Sequence, residues 1–279
     1  MLKLVILIIF FAVLIGIGLY CRKHATDVNG FVLGGRSVGP WLTAFAYGTS
    51  YFSAVVFVGY AGQFGWRYGI AATWAGIGNA IIGSLLAWVV LGRRTRIMSQ
   101  HLDSATMPQY FGKRFGSNPL KIGASVIIFI FLIPYTASLY NGLSRLFGMA
   151  FNIDYSVCII IMATLTAIYV IAGGYMATAI NDFIQGIIML FGIVAVIAAV
   201  IHSKGGFMSA LQGLANASDP AVSDTPGIFA SFFGPDPFNL LCVVILTSLG
   251  TWGLPQMVQK FYAIDNEASI QTVSYTHLR

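Results

Sequence analysis

The amino-acid sequence predicts an all-α polytopic membrane protein, and three observations carry that prediction. Hydrophobic residues make up 57% of the 279 positions and charged residues only 9%, against about 25% charged in soluble domains. The apolar residues gather in the stretches 2–20, 40–61, 69–92, 119–149, 155–172, 178–201 and 236–257, with almost every charge between them. No stretch alternates at period two, as a membrane β-barrel requires. A helix of about 20 apolar residues crosses the hydrocarbon core, and lipid obliges each segment to satisfy its own backbone polar groups. Seven spanning helices are expected.

The first stretch stands where a signal peptide would. It is longer than a signal core, and Cys21, Arg22, Lys23 and His24 occupy the place of a small-residue cleavage site. It reads as a retained helix. The 21–38 loop then carries Arg22, Lys23 and Arg36. The 93–118 loop carries Arg93, Arg94, Arg96, Lys113 and Arg114, with Lys121 just beyond. The alternate loops hold one basic residue each, Arg67, Arg145 and Lys204. Lys and Arg mark the cytoplasmic side, which puts the N-terminus outside and the loops after the first, third, fifth and seventh helices inside. The loop after the fifth has neither residue. The net charge of +6 is therefore a topology signal and does not point to nucleic acid.

The basic 93–118 loop reads as a cytoplasmic hairpin with helical pieces. In the 202–235 loop, Phe207, Met208, Leu211 and Leu214 recur at helical spacing and predict an interfacial helix. Asp219-Pro220, Thr225-Pro226-Gly227 and Gly234-Pro235-Asp236-Pro237 then break the chain before the last span. Asn216-Ala217-Ser218 matches a glycosylation acceptor, which chance explains in an Asn- and Ser-rich loop. Residues 266–279 depart from the pattern and read as a tail that need not be native. The chain is expected to be the front portion of a longer protein.

Function classes are narrowed by what the residues offer. Cys21, Cys158 and Cys242 lie far apart, in or beside spans, as small apolar filler. The four histidines have no ligand partners at metal spacing. There is no phosphate-binding glycine loop and no nucleophile–base constellation, so no enzyme is indicated. Buried basic residues look scarce, which removes a charged anchor for an anionic solute, although helix N-termini can bind anions without one.

Two spans are interrupted. In 40–61, Gly48, Thr49, Ser50, Tyr51 and Ser53 form a small, hydroxyl-rich stretch. Unwinding there would free carbonyls suited to a hard cation, while close helix packing is the alternative reading. In 236–257, Gly250, Gly253 and Pro255 fall together among Thr247, Ser248, Thr251, Trp252 and Gln256. Pro255 is expected to kink that helix, and Trp252 and Gln256 offer a stacking face and an amide. Paired broken helices point to a binding site near the midplane. Asp182 is a carboxylate on an otherwise apolar span, which is costly unless it faces a cavity or partner. Arg36 precedes the first broken span and, as a loop arginine, reads first as a positive-inside anchor; Arg145 is expected to be exposed.

These residues in this order resemble the sodium:solute symporter family, from about residue 29 to residue 265. The resemblance rests on FVLGGRSVGPWLTAFAYGTSYFSA, TMPQYFGKRF, GGYMATAINDFIQ and GTWGLPQMVQKFYA, of which the G-G-x-x-A-x-x-x-x-D-x-x-Q run is the most specific. It implies a LeuT-type five-plus-five inverted repeat with one extra helix in front, truncated here after about seven transmembrane helices. The transmembrane domain is then residues 1–265, with the first repeat over about 40–201 and the second opening at about 236–257. It implies a sodium ion as coupling ion, held by carbonyls matching Thr49 and Phe52, with Ser53 and Asp182 contributing. The solute would meet Tyr51, Thr251, Trp252 and Gln256, and Arg36, Gly250, Gly253 and Pro255 would serve coupling or gating.

The implied function is sodium-coupled symport of a small polar solute across the cytoplasmic membrane, with that solute and the lipid bilayer as partners. The pattern departs at Tyr51, where some members carry an aspartate, and at Thr251–Gln256, so the solute of no single member is implied. An alternative from another class is the symporter-like sensory domain of a membrane histidine kinase.

Overall fold

The structure, a computed structural model, describes residues 2–52 and 60–276, and among them it is helical with no β-strand. The helices are α1 (Leu2–Cys21), α2 (Val28–Leu33), α3 (Pro40–Tyr51), α4 (Ala61–Tyr68), α5 (Thr73–Gly78), α6 (Arg93–His101), α7 (Met107–Phe115), α8 (Asn118–Phe151), α9 (Tyr155–Ser203), α10 (Phe207–Ala215), α11 (Pro237–Leu249), α12 (Pro255–Ala263) and α13 (Glu267–Thr276). Helix starts carry their own caps. Asp27, Thr106, Ser117, Asp154 and Asp236 accept from backbone N–H groups of the first turns of α2, α7, α8, α9 and α11, satisfying donors that a helix leaves orphaned. The basic hairpin resolves into α6 and α7, and the interfacial segment into α10, as the spacing predicts.

Among the described residues, four helical runs are long and apolar enough to cross a membrane: Lys3–Cys21, Ala61–His101, Asn118–Phe151 and Tyr155–Ser203. Continuity differs from the seven expected stretches for physical reasons. The 69–92 stretch extends both ways, through α4 and α5, through wide π-type turns at Asn79–Leu86 and Trp88–Gly92, and into α6. The 155–172 and 178–201 stretches join in α9, which breaks only at Gly174 (φ 57°, ψ −149°). That backbone is open essentially to glycine alone. An unbroken helix of that length would run about 70 Å, over twice the roughly 30 Å hydrocarbon core. The 40–61 and 236–257 stretches both end helices midway, at Tyr51 and Leu249.

Two sets of contacts join segments far apart in the chain. The 34–39 loop, the end of α6 and the α12–α13 junction meet at one end of the bundle. Val38 forms an isolated parallel bridge with Ile264. At the other end, Trp74 Nε1 donates to Phe232 O at 3.0 Å, and Gly69 lies so close to Phe229 that a Cβ would strike its backbone. The main core packs Tyr47, Trp88, Phe261, Tyr262, Leu33 and Ile264. Phe131 and Phe191 are exposed on α8 and α9, as lipid-facing side chains are.

Candidate functional site

The two interruptions meet. α3 ends at Tyr51, with Phe52 outside the helix at φ −88° and ψ 64°. α11 ends at Leu249, and residues 250–254 turn before α12 begins at Pro255. Pro255 is thus no kink within a helix; it opens a new one, in the first turn, where a missing N–H costs nothing. Tyr51 Oη lies 2.9 Å from Asn79 Oδ1 and 3.0 Å from Thr247 O, and it accepts from Thr251 Oγ1 at 3.0 Å. Ser248 Oγ donates to the same Asn79 oxygen at 3.1 Å. Trp252 Nε1 donates to Ile82 O and Tyr47 Oη to Gly83 O, at 3.0 and 3.1 Å. Both carbonyls belong to the wide-turned stretch Asn79–Leu86, the kind of irregularity that functional sites often contain.

Small residues make this approach possible. A Cβ at Gly83 would collide with the Tyr51 hydroxyl, and one at Gly78 with Val244. Gly186 on α9 seats Phe45 and Thr49 of α3, at 2.5 and 3.2 Å from a Cβ built there. Phe45 also packs edge-on against Phe183, with centroids 4.8 Å apart. Thr49 turns its hydroxyl back to Phe45 O at 2.9 Å.

Beside this cluster lies a cavity of about 860 Å³ lined by Thr49, Ser50, Tyr135, Pro255, Gln256 and Gln259 among others. The Gln256 amide is buried with neither its nitrogen nor its oxygen hydrogen-bonded. A buried amide left so costs about 1–3 kcal/mol, and an amide on a cavity wall is poised for a polar ligand. Asn181 is likewise buried, with both amide atoms unpaired. Asp182 next to it is half-buried, in electrostatic reach of Lys260 and of Thr49. The expectation that buried basic residues are scarce fails here. Lys260 is 5% exposed and Arg96 3%, and Lys260 Nζ donates to Gln256 O at 3.2 Å.

Of the residues singled out in the sequence, Thr49, Tyr51, Thr251, Trp252, Gln256 and Asp182 fall in or around this region, with Gly250, Gly253 and Pro255 at the break itself. Ser53 lies outside the described residues. Arg36 sits elsewhere, at the bundle end, and is more than an interfacial anchor. Its guanidinium donates to Ser99 Oγ, Ser99 O, Tyr262 O and Ser104 O at 3.3, 3.3, 3.3 and 2.8 Å. Burial lowers its pKa against the opposing pull of Asp103 and Tyr262, and as an arginine it stays charged. Arg145 is exposed and bonds Asn141. Asn79, Tyr47 and Lys260 escaped notice in the sequence. The only signal was a polar group inside or beside an apolar stretch, the same signal that flagged Asp182.

Comparison with known proteins bears on the same segments. The family model described as "Sodium:solute symporter family" matches residues 31–278. The osmoregulated proline transporter OpuE of Bacillus subtilis (strain 168) is 31% identical over 259 residues, covering 92% of this chain and 51% of that protein. The sodium/proline symporter of Staphylococcus aureus (strain JH9) is 31% identical over 274 residues, covering 93% of this chain and 49% of that protein. The chain spans about half the length of the curated relatives it matches. The match takes in both interrupted helices, Asp182 and the Arg36 loop, across a polytopic helical framework that suits a cell-membrane transporter and not an enzyme: the chain belongs to the sodium:solute symporter family.

Proposed function

We propose that this chain forms part of a sodium-coupled secondary transporter that carries a small polar solute across the cytoplasmic membrane. The observation that carries the reading is the meeting of two helix interruptions at Tyr51, Thr247 and Thr251, beside a cavity with the unpaired Gln256 amide on its wall. In hydrocarbon, each interrupted helix exposes backbone groups that must be met by something else. A shared polar site meets both. Sodium would take carbonyls of Thr49 and Phe52, with Ser53 and Asp182 contributing. The solute would meet Tyr51, Thr251, Trp252 and Gln256, while Arg36, Gly250, Gly253 and Pro255 would serve coupling or gating. The names of the two relatives, a proline transporter and a sodium/proline symporter, support a small polar solute and sodium as its partner ion.

The same reading gives a LeuT-type five-plus-five inverted repeat, seven spans in this chain and the N-terminus outside. The contacts among the 34–39 loop, α6 and the α12–α13 junction favour one common face for the basic loops, which the basic-residue bias makes cytoplasmic. Impermeant thiol labelling in intact cells checks the sidedness. Ser203→Cys is expected to label and Arg114→Cys not to, and the reverse pattern would overturn it. For transport, solute uptake into proteoliposomes of the complete transporter is expected to rise with an inward sodium gradient. Asp182→Asn is expected to flatten or shift the sodium titration curve. Uptake that is the same with choline in place of sodium would sink the symport reading.

A further inference from the structure

α1 and α9 meet backbone to backbone at two glycines. A Cβ built on Gly18 would stand 2.8 Å from Tyr169 O, and one on Gly173 would stand 2.7 Å from Gly18 O. Beside this contact a cleft of about 560 Å³ opens between the two helices. Leu19 and Arg22, at the end of α1, line one side, and Thr164, Ala167, Ile168 and Ile171 line the other. Those four positions fall at i, i+3, i+4 and i+7, one face of α9 over two turns. Leu19, Ile168 and Ile171 are exposed, so the cleft opens onto the surface that these helices turn to lipid.

The wall is apolar and the rim is cationic. α1 runs 20 residues, about 30 Å, which spans the hydrocarbon core and leaves Arg22 and Lys23 at the level of lipid headgroups. Arg22 is exposed, and it has no carboxylate partner: among the described residues the one ion pair joins Arg93 to Glu267. Next to it, Lys23 Nζ sits 4.5 Å from the centre of the Tyr20 ring. The bias of basic residues to one side of the membrane accounts for a cation at a helix end. It does not account for an apolar cleft that starts at that cation and runs between two helices. A guanidinium takes phosphate oxygens in pairs, and an apolar cleft takes methylenes. A phospholipid offers both in that order.

We propose that the α1–α9 cleft binds an anionic phospholipid, its phosphate on Arg22 and one acyl chain along Leu19, Ala167, Ile168 and Ile171. Basic pockets between transmembrane helices select such headgroups. A zwitterionic lipid would set its own ammonium beside Arg22 and Lys23, whereas an anionic one brings no positive charge. The bound chain fills the wedge that the glycine contact leaves open and so splints α1 to α9. The proposal stands on the packing of these two helices and not on the symport reading.

Native mass spectrometry of the complete transporter, titrated in detergent with phosphatidylglycerol or with phosphatidylcholine, tests it. Wild type is expected to retain phosphatidylglycerol about tenfold better, since each basic residue near lipid headgroups is worth about fivefold in binding. Arg22→Gln is expected to lower phosphatidylglycerol retention by about fivefold and to leave phosphatidylcholine as it was. Arg94→Gln, at an exposed arginine of α6, is expected to change neither. Ala167→Leu, which fills the cleft, is expected to weaken phosphatidylglycerol several-fold although Arg22 remains, and inorganic phosphate is not expected to displace the lipid. Equal retention of the two lipids by wild type overturns the proposal without any variant having to fold. Equal losses in Arg22→Gln and Arg94→Gln would mean diffuse attraction to basic loops. No loss in Ala167→Leu would mean that no chain enters the cleft, as when the rest of the transporter covers it. Either result also overturns the proposal.

Discussion

The helix interruptions around Tyr51 and the Arg36–Arg96 cluster treat polar groups in opposite ways. In that cluster, both terminal nitrogens of Arg36 and all three guanidinium nitrogens of Arg96 donate to oxygens around them. Around the interruptions, Tyr51, Asn79 and Thr251 satisfy one another, yet the amides of Gln256 and Asn181 are buried and unpaired. Burial alone does not separate a scaffold from a binding wall, since both regions are buried. Saturation does. A saturated polar group holds the fold, and an unsaturated one costs stability that a ligand can return.

Four substitutions can break or sharpen that contrast. Arg36→Lys should have the largest effect, a loss of about 2–3 kcal/mol, because a point-like ammonium cannot reach four acceptors arranged around a planar fork. Thermal unfolding of the detergent-solubilised protein reads it, and a midpoint equal to wild type would contradict the saturated-scaffold view. Next comes Gly83→Ala, expected to cost about 1–3 kcal/mol by overpacking against Tyr51. Adding Tyr51→Phe should recover part of that cost, since the hydroxyl is the first atom struck. Strict additivity of the two changes would mean that they do not meet.

Gln256→Leu should act in the opposite direction, stabilising by about 1 kcal/mol as the unpaired amide disappears. Solute KM should meanwhile rise by about tenfold or more. A destabilised protein with normal uptake would reassign Gln256 to the scaffold. The smallest change is Glu267→Gln, which removes the exposed 2.8 Å ion pair with Arg93. Exposed pairs contribute about 0–1 kcal/mol, so a shift beyond that range would extend the saturated region out to the surface.

Much of the architecture could be read in the residues, because lipid imposes a simple demand on each segment by itself. Apolar length marked a polytopic helical protein, though not the number of continuous runs, and glycine with hydroxyl residues marked both helix interruptions. Helical spacing anticipated α10. Local readings failed where a distant partner decides. Arg96 was one basic residue among several in a loop, and only Ile264 and Asp265, far along the chain, turn it into a buried clasp. Asn79 gains its role from Tyr51 and Ser248. Lys260 lies just beyond the seventh stretch and drew no notice there, yet tertiary packing buries it. Pro255 was read as a kink because sequence shows a proline in an apolar run. Whether the helix bends or ends there depends on what the turn at 250–254 packs against.

Gly174 has a consequence for how such a protein can vary over generations. Every missense change of a glycine codon adds a Cβ. At this position that atom would stand 2.7 Å from the Phe31 carbonyl oxygen, on a backbone at φ +57°. Upstream of this residue, α9 packs on α1, with Gly18 against Tyr169; downstream, Gly186 receives Phe45 and Thr49. One codon therefore holds the peripheral helix and the site-bearing helix in a common inheritance. Lineages can exchange the exposed side chains along either arm of α9, but any exchange at the joint meets backbone.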